Sequence, residues 1–94
     1  MIQLGGNIEL EGFEAVEPGK LVVVKKIVGS YARKISDSVD NFEKLNVALK
    51  ESSGKAELTA TVTAGGAETK AEAADKNLFF ALDKVLADVE KQLK

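Results

Sequence analysis

The side chains best placed for chemistry are cations. Residues 20–34 hold Lys20, Lys25, Lys26, Arg33 and Lys34 without an acid, whereas residues 1–19 hold Glu9, Glu11, Glu14 and Glu17 without a base. If residues 20–34 are helical, about 100° per residue places Lys26 and Arg33 opposite the apolar stripe, with Lys25 and Lys34 on its flanks. Near the C-terminus, Lys84 and Lys91 share an outer helical face with Asp88. Two such helices side by side would present a basic stripe, and Lys and Arg meet phosphates in this way. Phe80 falls beside Lys84 and Lys91, away from the apolar stripe of its own helix. There it can stack on a base or pack against a partner. A solvated helix face, with Phe80 folded over the helix edge, fits the same pattern.

Other chemistry is excluded by composition. The chain has no cysteine, hence no disulfide, thiolate metal site or cysteine nucleophile, and no histidine, the commonest metal ligand and neutral-pH base. Asp37, Asp40 and Asn41 read as turn residues, without the alternating acids, central Gly and terminal Glu of a calcium loop. The expectation is a protein that is not an enzyme, with no metal and no small-molecule cofactor. Tyr31 falls on the apolar stripe and is expected in the core, its hydroxyl at the rim. Gly29 inside a helix costs about 1 kcal/mol against alanine, which points to close packing there.

The elements that must position these residues follow from periodicity. Ile2, Leu4, Ile8 and Leu10 share one parity and read as a single strand, with Gly5-Gly6 as a bulge or close approach. Pro18 suits the first turn of a helix. Leu21, Val24, Ile27, Val28, Tyr31 and Ile35 give that helix its stripe, outweighing the strand propensity of Val22-Val23-Val24. Leu45, Val47 and Leu49 then alternate. So do residues 55–64, and again Ala67, Ala71 and Ala73 beyond Gly65-Gly66, a pair that signals a tight hairpin. A last helix, capped by Asp75 or Asn77, carries Leu78, Leu82, Val85, Leu86, Val89 and Leu93. The order β-α-β-β-β-α predicts an α+β fold: a four-stranded mixed sheet, order 1-2-3-4, its first pair parallel. Both helices should lie on one face, leaving the threonine and charge face open.

The 94 residues read as one domain, 45% apolar and 30% charged. No apolar run is long enough to span a membrane, and a cytoplasmic location is expected. The net charge of −2 gives no general attraction for nucleic acid, so any such affinity needs a local patch.

Asn46-Val-Ala-Leu-Lys50 is followed by a strand, a Gly-Gly hairpin and an Ala-rich strand. Further on stand Asn77-Leu-Phe-Phe-Ala-Leu-Asp83 and Lys91-Gln-Leu93. In this element order, these stretches resemble the ribosome hibernation-promoting factor and sigma-54 modulation protein family, in its short, single-domain form. The resemblance implies a cytoplasmic protein that binds the small ribosomal subunit and its ribosomal RNA, in the tRNA and mRNA channel, silencing translation under stress. On that reading Lys25, Lys26, Arg33, Lys34, Lys84 and Lys91 contact phosphates and Phe80 stacks. The alternative is a protein-interaction or homodimerising module of the same fold, using a free sheet edge or the Phe80 patch.

Overall fold

The computed structural model describes residues 1–93. Its elements are β1 (Ile2–Leu4), β2 (Ile8–Glu11), α1 (Pro18–Ser38), β3 (Phe42–Ser52), β4 (Lys55–Ala64), β5 (Ala67–Asp75) and α2 (Leu78–Gln92). The strands form one five-stranded sheet in the order β1-β2-β3-β4-β5. The β2–β3 pairing is parallel and the rest antiparallel.

The expectation of four strands is therefore corrected. The first strand is a hairpin, with Leu4 opposite Ile8 across the turn Gly5-Gly6-Asn7. A three-residue turn leaves the parity of the inward positions unchanged. Alternation across it thus looks like one uninterrupted strand.

Sequential order with a parallel step decides where the helices go. One row across the sheet is Ile2, Leu10, Val47, Ala60 and Ala71, and the next runs Leu4, Ile8, Leu45, Val62 and Thr69. Leu10, Leu45, Val47, Ala60 and Val62 are fully or almost fully buried. Large side chains of α2, Leu82, Val85, Leu86 and Val89, fill the space above the small Ala60 and Ala71, and α2 contacts both β4 and β5. That complementarity of volume explains why alanine, a poor strand former, is used there. Helix α1 contributes Val24, Val28, Ala32 and Ile35, so the residue closing the β-branched run Val22–Val24 is core while Val22 and Val23 face out. Leu21 and Tyr31, expected to be buried, are only half-buried. The two helices contact each other and cover the same face. Asn46, Thr59, Thr61, Lys70 and Glu72 lie on the other.

The link from β2 to α1 holds a core residue that periodicity misses. Phe13 is completely buried, and its carbonyl accepts from the Val16 N–H at 3.0 Å. Gly12 before it has φ +79°, and a Cβ there would sit 2.2 Å from the Leu49 carbonyl oxygen. The backbone of β3 passes so close that only glycine fits. Gly29 is the reverse case: nothing lies within 4 Å of a Cβ placed on it, so close packing is not its reason. Gly12→Ala should cost about 2 kcal/mol or more in urea unfolding. Gly29→Ala should raise stability, by up to about 1 kcal/mol. The opposite sign at either site would contradict these placements.

Candidate nucleic-acid interface

Strands β2 and β5 run the same way, and each returns through a helix, so α1 and α2 are parallel neighbours. Pro18 opens α1 without a side-chain cap. Asn77 caps α2: its side-chain oxygen accepts from the N–H groups of Phe79, at 2.9 Å, and Phe80, at 3.2 Å. The Asp75 carboxylate accepts from the Asn77 N–H at 2.9 Å and pairs with Lys84 at 3.6 Å. The first of these bonds is the main reason its carboxyl is held below the usual range. Of the two expected caps Asn77 is the one used, and Asp75 instead holds the N–H of the cap residue.

Among the described residues the helices are joined by one polar contact, the Tyr31 hydroxyl donating to the Asp83 carboxylate at 2.8 Å. It sets Tyr31 level with the first turns of α2. Burial, then the bond to Asp83 and its charge, push the Tyr31 hydroxyl up to about 12. Lys34 lies over the same ring, 5.1 Å from its centroid.

All the sequence-derived candidates are exposed. On the α1 wheel Lys26 and Arg33 face away from the core, whereas Lys34 points to the side of Tyr31 and therefore of α2. Lys25 lies on the far flank, away from α2. On α2, Phe80, Lys84 and Lys91 share the outward face, and Phe80 is 65% exposed. Among the described residues Lys25, Lys26, Arg33, Lys34 and Lys91 have no ion-pair partner, and of the six candidate cations only Lys84 does. The structure thus brings Lys26, Arg33, Lys34, Phe80, Lys84 and Lys91 to one side of the molecule, with Asp83 between the helices already occupied by Tyr31. Ile27 on α1 and Phe79 on α2 are half-buried against the core, while Val23 is exposed.

The early glutamates have other partners. Glu9 accepts from Asn46 at 3.2 Å and pairs with Lys44 at 3.5 Å on the open sheet face, and Glu14 pairs with the N-terminal ammonium. Among the described residues no set of three carboxylates gathers to hold a metal ion, and no helix is long and apolar enough to cross a membrane. A cavity of about 530 Å³ opens at the N-terminal ends of both helices, lined by Glu17, Lys20, Glu51, Lys55, Lys76 and Phe79 among others. Lys55 and Lys76 were not singled out by the sequence, and Lys20 was noted only as part of the basic run and not as a phosphate contact. They come together only because the β3–β4 turn meets the two helix starts.

This β-hairpin, crossover and meander under two parallel helices defines the class of fold, and comparison gives the family. Residues 18–94 match the sigma 54 modulation protein / S30EA ribosomal protein family, and the chain belongs to it. The N-terminal domain of Protein Y from Thermus thermophilus is similar, with a TM-score of 0.68 and 21% identity over 95% of this chain and 97% of that one. A ribosomal subunit interface protein from Coxiella burnetii gives 0.66 and 15% over 93% and 90%. At these identities the likeness is one of fold. No curated protein matches the chain.

Tyr31 is the only tyrosine, so its titration is directly readable. Its proton is held more tightly in the folded state than in the unfolded chain, where tyrosine ionises near 10. The associated stability is complete below about pH 10 and is lost as the pH rises towards about 12. Absorbance titration should give a midpoint near 12. Asp83→Asn should lower the midpoint yet leave it above the ordinary value, because burial is the larger cause. An ordinary midpoint in the wild type would contradict the interhelical contact.

Proposed function

We propose that this chain is a cytoplasmic factor that binds the small ribosomal subunit through its helical face. It silences translation by occupying the tRNA and mRNA channel, as family members do, without catalysis. What carries this reading is family membership combined with cations on α1 that no acid neutralises. In a chain of net charge −2, phosphate affinity has to be local. The helical side provides it: Lys26, Arg33 and Lys34 on α1, Lys84 and Lys91 on α2, with Lys25 at the flank. That one structural neighbour is a ribosomal subunit interface protein supports a ribosomal partner. Phe80 stacks on an unpaired base, since a half-solvated aromatic among cations suits single-stranded RNA.

One observation favours a protein-interaction module instead. Phe80, Val22 and Val23 are 65%, 54% and 42% exposed, more apolar surface than phosphate contact requires.

The experiment is co-sedimentation with ribosomes across a salt series. Binding should fall steeply with salt, because each phosphate contact releases counterions. Lys26→Glu with Arg33→Glu should weaken it at low salt and flatten the log–log slope by roughly one unit for each phosphate no longer neutralised. Thermal unfolding should barely move, these charges being exposed. No co-sedimentation at low salt would defeat the proposal. If Phe80→Ala alone abolishes a protein complex while the charge reversals do nothing, the interaction module is correct.

A further inference from the structure

Among the described residues the sheet ends at β5, nine residues long and without a neighbouring strand on its outer side. In the two-residue hairpin Ala64 pairs with Ala67, so the hydrogen-bonded pairs are those of Ala67, Thr69, Ala71 and Ala73 with β4. The main-chain groups of Glu68, Lys70, Glu72 and Ala74 therefore point to the free edge. Gln92 confirms this direction, since its side-chain N–H donates to the Lys70 carbonyl at 3.1 Å. Lys84 reaches Asp75 at the other end of the strand, so one flank of α2 overhangs the edge.

We propose that a second copy of this chain pairs with this edge, β5 to β5, antiparallel about Ala71. Self-complementary charge selects the partner and the register. Centred on Ala71, Lys70 faces Glu72 of the second copy and Glu72 faces its Lys70, and the whole strand overlaps. Centring on Lys70 sets Lys70 against itself and Glu68 against Glu72, like charges directly opposite, which is unfavourable. The inward residues that meet in the favoured register, Thr69 with Ala73 and Ala71 with itself, are small. Because α2 rests across β4 and β5, the two-fold sets α2 and its copy two strand spacings apart, about 10 Å, the normal distance for packed helices. Lys84, Asp88 and Gln92 line the facing flanks, a polar contact suited to a weak, reversible dimer. Gln92 acts as the gate, holding the Lys70 carbonyl that the incoming strand needs.

Sedimentation equilibrium of the full chain, from micromolar to millimolar, tests this. A monomer–dimer equilibrium is expected, strengthened about fivefold by Gln92→Ala, which frees the carbonyl. Lys70→Glu should weaken it about tenfold, and adding Glu72→Lys should restore it, since the swap recreates both opposite-charge pairs. A dimer seen only in Gln92→Ala, with the same charge dependence, supports the pairing with a tighter gate. The proposal is overturned by wild type and Gln92→Ala both remaining monomeric at millimolar concentration. A dimer indifferent to Lys70→Glu, not rescued by the swap, or abolished by Phe80→Ala overturns it equally. Lys26→Glu with Arg33→Glu should leave the dimer unchanged, so this pairing and ribosome binding fail separately.

Discussion

The parallel pairing of β2 with β3, Leu10 opposite Val47, constrains everything above it. A parallel neighbour cannot be reached by a tight turn, so the chain must cross over the sheet, and α1 is that crossover. Right-handed crossing puts α1 on one chosen face. The alternation of β3, β4 and β5 then makes that face apolar over most of its area, and Leu82, Val85 and Val89 of α2 bury against it. Two parallel helices on one side and a flat face of threonine and charge on the other are consequences of one pairing. The close passage of the Gly12 backbone beside Leu49 and the complete burial of Phe13 show how tightly the start of the crossover is built.

Residues 55–75 were legible because alternation, a Gly-Gly pair and a change of parity across a two-residue turn outweighed the low strand propensity of alanine. The N-terminal hairpin was not. Its three-residue turn leaves Leu4 and Ile8 on the same parity, so the pattern that reveals β4 and β5 as two strands conceals β1 and β2 as one. Phe13 escaped for a different reason, since periodicity speaks only within regular elements and this residue lies between two of them. Gly12 and Gly29 carry no local mark that separates an obligatory glycine from a replaceable one. The difference lies in the approach of β3, far away in sequence.

The candidate site was legible as directions and illegible as partnerships. Helical spacing alone turned Lys26, Arg33 and Phe80 outward, where they are found. It could not foresee that Lys84 pairs with Asp75 or that Tyr31 joins Asp83, because both contacts depend on how far α2 slides along the sheet before it packs. Nor could it foresee the meeting of Lys20, Lys55 and Lys76 around a common cavity, which three separate elements create. The Tyr31–Asp83 bond ties the two helices together at one point, with the Asp83 carboxylate still charged between them. It thereby sets the spacing at which cations from both can meet one polyanion.

Placing the working surface on the helices and not on the open sheet can be tested directly by lysine acetylation footprinting with mass spectrometry, with and without small ribosomal subunits. Lys26, Lys34, Lys84 and Lys91 should be shielded in the complex, while Lys44, Lys50 and Lys70 on the open sheet face should react as in the free protein. Shielding of the sheet lysines with the helical set left reactive would contradict the account.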